Sequence, residues 1–190
     1  MTEKIPIGAK TFLYPMPTVL VGADVEGEPN YLTVAYCGII HAVPPMISIA
    51  LGKPHYTNIG IKQNMSFSVN IPSAEMVEVT DYCGIVSGRR IDKNGLFTSF
   101  YGRTKTAPMI EECPLNLECT VRQILDFDGT NEIFIGEIVE AYSRDEYLTN
   151  NLPDIEKINP ICFSMHDNRY FSLGSYIGKA WQIGRDYKKP

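Results

Sequence analysis

The sequence has one tryptophan and three histidines, and its five cysteines, Cys37, Cys83, Cys113, Cys119 and Cys162, contain no CxxC pair. That spacing offers neither a zinc knuckle nor a thioredoxin-type dithiol, both of which need thiols close together in the chain. Scattered thiols in odd number suit a reducing compartment, and the expected location is the cytoplasm. Missing too are GxGxxG after a strand, GxxxxGK[ST], GxSxG and HExxH, which removes the usual nucleotide turns, the nucleophile elbow and the zincin helix. No run approaches the roughly 20 apolar residues of a membrane helix. The opening MTEKIPIGAK carries an acid and no apolar stretch, so it does not read as a secretory signal. Positive charge is scarce: 17 Lys and Arg against 22 Asp and Glu give a formal net charge of −5. That balance argues against nucleic acid as a partner.

What is present is a chain of 190 residues, 44% hydrophobic and 21% charged, long enough for one domain over 1–190 with a real core. Residues 17–25 alternate weakly and run into EGEPN, which predicts a hairpin into a strand over Tyr31–Gly38. The Pro44-Pro45 pair turns the chain into a second strand, Met46–Leu51. A short helix is expected over Asn58–Gln63 with Thr57 as its N-cap, and a half-buried strand over Ser66–Ile71. Ser73 reads as the N-cap of a helix ending near Gly84. Residues 89–113 lack periodicity and read as a long surface excursion. Two long strands, Asn116–Phe127 and Glu132–Tyr142, are joined by the DFDGTN turn, and a short strand covers Ile161–Met165. Six or so strands without crossover helices predict an antiparallel barrel.

The stretch Pro29–Thr57 and the locally basic SGRRIDK at 87–93 carry the chemistry. Lys53, His55, Tyr56 and Thr57 gather before a helix start, where hydroxyls, amides and cations suit a phosphate. Taken singly, each feature has a plainer reading. Thr57 is a helix cap, SGRRIDK a solvated loop, Tyr36 and Phe163 are core aromatics, and Cys37 is a structural thiol.

Taken together, the features form an ordered pattern. It runs Asn30-x-x-Thr33-x-Ala35-Tyr36-Cys37-Gly38, then Pro44-Pro45, Lys53-x-His55-Tyr56-Thr57 and Phe67-x-Val69-Asn70. It continues through Tyr82-x-Gly84-x-Val86-Ser87-Gly88-Arg89, Phe134-Ile-Gly-Glu-Ile138 and the ending from Leu173 to Trp181. In order and spacing this resembles the FMN-binding split-barrel flavoproteins, and within them the flavoredoxin and flavin-reductase-like group. The resemblance implies a mainly β, antiparallel, Greek-key-like split β-barrel with short peripheral helices. It also implies a homodimer, with the segment from about 166 to 190 packing on the barrel or on the partner.

Carried over by position, Asn30, Thr33, Ala35, Tyr36 and Cys37 line the flavin ring and ribityl chain. Thr57, with His55, Tyr56, Ser87, Arg89 and Lys93, holds the phosphate, while Asn131 and Phe163 lie near the cofactor. The implied function is an FMN-dependent redox protein. It is either an NAD(P)H-dependent flavin or ferric reductase, or a flavoredoxin-type carrier between redox partner proteins. Two rival expectations are an FMN- or small-ligand-binding barrel without turnover, and a redox or metal switch on Cys37 and Cys83.

Overall fold

The computed structural model describes residues 3–185 and 187–188. Positions 186, 189 and 190 of the expected C-terminal segment, and 1 and 2 of the N-terminal stretch, lie outside the described residues. In chain order the strands are β1 Met16–Pro17, β2 Val19–Val25, β3 Glu28–Val34, β4 Cys37–His41, β5 Met46–Gly52, β6 Ser66–Ile71 and β7 Ser99–Phe100. They continue as β8 Met109–Ile110, β9 Leu115–Asp126, β10 Asn131–Ser143, β11 Leu148–Thr149, β12 Leu152–Pro153, β13 Cys162–Ser164 and β14 Arg169–Phe171. The α-helices are α1 Thr57–Asn64, α2 Val77–Ile85 and α3 Ile155–Ile158.

Seven strands make the main sheet in the order β3-β2-β6-β9-β10-β5-β4, and each of its pairings is antiparallel. The β2–β3 hairpin closes on Glu26 and Gly27, with φ of 58° and 89°. A two-residue turn with both φ positive matches the twist of its strands. The hairpin and the two long strands are therefore mainly β architecture of the expected kind.

The expected single strand Tyr31–Gly38 is two. β3 stops at Val34 and β4 begins at Cys37, with Ala35 and Tyr36 as the corner between them. β3 and β4 are the two edges of the sheet, so this corner carries the chain from one edge to the other and curls the sheet on itself. The Tyr36 carbonyl accepts from Ala50 N–H at 2.9 Å, which ties the corner to β5.

Alternate residues of these strands point inward: Val19, Val21, Leu32, Val34, Ile47, Ile49, Phe67, Val69 and Phe134 form one buried cluster. The strand β6, expected to be half-buried, is covered on both faces. Ser66, Ser68 and Asn70 are all buried. The Asn70 amide donates to Leu20 O at 2.9 Å and accepts from Ile110 N–H at 3.1 Å, while Ser68 Oγ donates to Pro108 O. The excursion over 89–113 is correspondingly not a surface loop throughout. It lays Phe97, Ile110 and Cys113 against Leu20, Tyr31 and Cys83 in a second buried cluster. Polar side chains on β6 satisfy the backbone of a segment that has little ladder of its own.

Glu118 anchors the same excursion from β9. Its carboxylate is fully buried and accepts from Thr104 N–H at 2.6 Å, Arg103 N–H at 3.0 Å and Tyr142 Oη at 3.1 Å. Burial works to raise its pKa, but these donors outweigh burial and hold it below the ordinary carboxylate value. A depressed folded pKa contributes stability above the unfolded value, near 4.5, and loses it as pH falls through the folded value. Thermal melts should show Glu118→Gln less stable than the wild type by about 1 to 3 kcal/mol at neutral pH, with the gap closing below about pH 4. A gap constant with pH would remove this role.

The chain end adds β13 and β14 to β1 as a separate three-stranded sheet, which brings Phe163 beside the barrel. Beyond β14, Tyr176, Ile177 and Trp181 are exposed at 72%, 89% and 92% in the single chain. Among the described residues, no helix is long and apolar enough to cross a membrane.

Candidate functional site

Two adjoining cavities meet at the end of α2, where Gly84 and Ile85 line both. The larger, about 390 Å³, is lined by Thr18, Thr33, Ala35, Asp81, Phe163 and Tyr170 among others. Its position follows from the fold: β3 and the barrel corner give one wall, α2 a second, and the β13–β14 hairpin a third. Thr33 Oγ1 donates to Thr80 O and so fixes α2 against β3. Tyr170 Oη donates to Asp81 Oδ1 at 2.7 Å, bridging α2 to the hairpin. Burial pushes the Tyr170 phenol up to about 12, and the hydrogen bond to Asp81 adds to this. The Thr18 hydroxyl is buried in this lining without a hydrogen-bond partner among the described residues. A buried orphan oxygen at a cavity wall calls for a ligand or water group to meet it.

The smaller cavity, about 150 Å³, is lined by Asn30, His55, Tyr56, Thr57, Ser87, Gly88 and Lys93 among others. Asn30 Nδ2 donates to Thr57 Oγ1 at 2.7 Å, which leaves the threonine O–H to be given elsewhere. Lys93 is 3% exposed, and its ammonium donates to Tyr31 O at 2.7 Å and Cys83 O at 2.8 Å. An ammonium has three protons, so one more is available toward the cavity it lines. Burial lowers the Lys93 pKa, and burial together with the Lys93 charge lowers that of His55. Gly88 sits flush against this lining: a Cβ there would stand 2.2 Å from Asn30 Oδ1 and 2.8 Å from Tyr56 Cδ1.

The expected helix cap differs from what forms. Thr57 is the first helical residue, and the N-cap position belongs to Tyr56, whose backbone is already right-handed and whose side chain makes no cap bond. That tightened start closes the early amides on themselves: Asn58 N–H donates to His55 O and Ile59 N–H to Tyr56 O. The anion-attracting groups of this cavity are accordingly side chains more than free helix amides. Ser73 likewise leads a short 3-10 turn, Ala74–Met76, without capping it by its side chain.

Of the residues singled out in the sequence, Thr33, Ala35 and Phe163 meet in the larger cavity, and Asn30, His55, Tyr56, Thr57, Ser87 and Lys93 in the smaller. Arg89 stands beyond them, its guanidinium 5.5 Å from the Tyr56 ring centroid, in a third chamber adjoining the smaller cavity. Three are not brought into this lining. Tyr36 points its hydroxyl at Met165 Sδ, 3.3 Å away. Cys37 pairs with Ile49 in the β4–β5 ladder, and Asn131 opposes Gly52 at the start of β10. Thr18, Asp81, Ile85 and Tyr170 were not singled out in the sequence as site residues, and Gly84 was marked there as a helix end and as part of the ordered pattern. Asp81, Gly84 and Ile85 are spaced i, i+3, i+4, one face of a helix, and that spacing was the available signal.

Cys37 and Cys83 do not form a switch pair: Cys37 packs on the barrel core and Cys83 in the second cluster. Burial pushes the Cys37 thiol up to about 12, so it carries no thiolate at neutral pH. Among the described residues no group of three His, Cys, Asp or Glu is placed to hold a metal ion.

The antiparallel barrel thus carries a cleft of mixed polar and apolar lining that adjoins a small cavity rich in hydrogen-bond donors. The chain belongs to the family described as Flavin reductase like domain, which matches residues 11–170. Its fold is that of flavoredoxin from Methanosarcina acetivorans, with a TM-score of 0.94, 49% identity, and coverage of 97% of this chain and 98% of that one. Flavoredoxin of Desulfovibrio vulgaris (Miyazaki F) superposes with a TM-score of 0.89 at 33% identity, covering 96% of this chain and 100% of that one. An uncharacterized protein of Archaeoglobus fulgidus is 30% identical over 146 residues, 76% of this chain and 81% of that one. These relationships support a flavin-related redox role.

Proposed function

We propose that the chain holds one FMN in the joined cavities and works in the cytoplasm as a flavoredoxin-type electron carrier. The carrying observation is the junction at Gly84 and Ile85 between the cavity that holds Ala35 and Phe163 and one lined by Asn30, Thr57 and Lys93. Bound flavin supplies the electron chemistry. The chain's part is to bind, orient and shield it. Phe163 and Ala35 offer flat apolar wall to the ring, and the Thr18 hydroxyl offers a polar contact at its edge. Thr57 Oγ1–H, held by Asn30, and the spare Lys93 proton give charge-assisted hydrogen bonds to the phosphate. The donor set suits this tail, since the cavity offers a cation and hydroxyls where the anion ends.

The full-length likeness to two flavoredoxins favours relay between proteins over direct oxidation of NAD(P)H. The purified protein should be yellow, and in stopped-flow mixing a reduced protein donor should bleach it faster than NADH or NADPH. Rapid bleaching by either nucleotide would make it an NAD(P)H-dependent flavin or ferric reductase instead. A homodimer is part of the proposal, supported by exposed Ile39, Ile40 and Val43 on the β4 edge and turn and by the aromatic tail. Light scattering that returned the mass of one chain would refute it.

A further inference from the structure

We infer that Asp81 sets the proton count of the electron transfer: its charge beside the ring keeps the reduced flavin protonated, so that two electrons enter with two protons at neutral pH. This rests on the flavin reading above. Among the described residues that line the larger cavity, Asp81 is the one acidic side chain, and none is Lys, Arg or His. Lys93 and His55 line the adjoining cavity, at the end assigned to the phosphate, and not this one. The ring end of the site is thus negative and the phosphate end positive.

The fold holds the carboxylate in place. Asp81 shares one face of α2 with Gly84 and Ile85, and its Oδ1 accepts from Tyr170 Oη at 2.7 Å. Burial and this bond push the Tyr170 phenol up to about 12, so the proton stays on the tyrosine and the negative charge of the pair on Asp81. Among the described residues Asp81 makes no other side-chain hydrogen bond, which leaves its second oxygen uncommitted. The charges packed around it do not cancel it. Glu78, one turn earlier on α2, is exposed and has the same sign. Arg169 neighbours Tyr170 on β14, where adjacent side chains face opposite sides, and its Nε donates to Asp167 at 2.7 Å. His166, in the β13–β14 turn, is exposed. The remaining side chains of the lining are uncharged, and one of them, Thr18, is 3% exposed with its hydroxyl unmet.

Two electrons and two protons, at N1 and N5, make the neutral reduced flavin; two electrons and one proton, at N5, make its anion. In water a reduced flavin gives up the N1 proton near neutral pH. The electrons come from a reduced protein donor, and the protons from water at the mouth of the cavity, where Gly84 and Ile85 are exposed. A carboxylate beside the ring acts against the anion and leaves the oxidised and the neutral reduced ring, both uncharged, nearly untouched. A cavity of about 390 Å³ is about 9 Å across, within the roughly 8 to 10 Å over which physiological salt leaves charges in contact. At an effective dielectric of about 20, two unit charges about 8 Å apart change a proton affinity by roughly thirtyfold. Water at the mouth weakens this, and the expected effect is about tenfold, or about one pH unit.

The test is redox potentiometry of the FMN-loaded protein across the neutral range of pH, for wild type, Asp81→Asn and Tyr170→Phe. Each proton taken up with the two electrons adds about 30 mV per pH unit to the slope. The wild type should hold a slope of about 60 mV per pH unit to beyond about pH 7.5 before it breaks to about 30 mV. Asparagine keeps an acceptor for Tyr170 and removes the charge, and its break should fall at a pH lower by about one unit. Tyr170→Phe keeps the charge and removes the hydrogen bond, and should leave the break where the wild type has it. A break at the same pH in wild type and Asp81→Asn would overturn the inference, as would a slope of about 30 mV throughout in the wild type. A break moved as far by Tyr170→Phe as by Asp81→Asn would also overturn it, since the arrangement of the pair and not its charge would then be at work. If the apoprotein takes up no FMN, the flavin reading itself falls; if FMN binds and the break ignores Asp81, only the proton role falls.

Discussion

Replacing Gly88 with alanine is expected to lower FMN affinity by about 10- to 100-fold, or ~1.4 to 2.8 kcal/mol, while the melting temperature moves by no more than a few degrees. The added Cβ would lie 2.2 Å from Asn30 Oδ1 and 2.8 Å from Tyr56 Cδ1, far inside contact distance. Asn30 is buried and its amide is committed to Thr57 Oγ1, so it cannot yield without releasing the hydroxyl it orients. The fold is spared because residues 87 and 88 lie in the bend after α2, outside both buried apolar clusters. Riboflavin, which lacks the phosphate, should lose far less. An isothermal titration in which FMN and riboflavin weaken alike would mean the clash is felt at the ring.

Lys93→Met should act on both stability and binding. The lysine donates to two carbonyls, Tyr31 O on β3 and Cys83 O on α2, and so couples the barrel to the helix that divides the two cavities. Methionine keeps the bulk and removes the donors, stranding two buried acceptors. The expected cost is about 2 to 4 kcal/mol, a fall in Tm on the order of 10 °C. FMN should weaken by at least about tenfold at a temperature where the variant is folded, since a charged donor to phosphate is lost as well. Calorimetric melts with and without FMN separate the two effects. A variant that melts lower yet binds FMN as before would confine Lys93 to a structural role.

The parts of the fold set by neighbours in sequence were legible. The Glu26-Gly27 turn needs two positive φ values, and EGEPN between alternating segments announces it. The alternation of Phe67, Val69 and Ile71 marked β6, and DFDGTN marked the joint of β9 and β10. Long-range partners left no such trace. Ser66, Ser68 and Asn70 have the period of a solvent face, yet they are buried because the 104–110 segment needs their hydrogen bonds. Lys93 reads as a free cation in a basic loop, while the fold makes it an internal donor. Period alone also carried the strand past Val34, since nothing local marks Ala35 and Tyr36 as the corner of a barrel. In the candidate site, residues near Thr57 and in the 87–93 loop were found through their chemistry. Thr18 and Tyr170 were not, because Thr18 lies in the one-residue link between β1 and β2 and Tyr170 on β14, and their place beside the cavity depends on the sheet built by β1, β13 and β14.

The proposed flavin site requires an anion seat at the end of the cleft where Thr57 and Lys93 stand, and one comparison tests it most directly. Apoprotein titrated with FMN and with riboflavin should bind FMN tighter by at least about tenfold, the worth of two charge-assisted hydrogen bonds after solvation losses. That preference should shrink in Lys93→Met and Gly88→Ala. Equal affinity for the two flavins, unchanged by either substitution, would contradict it.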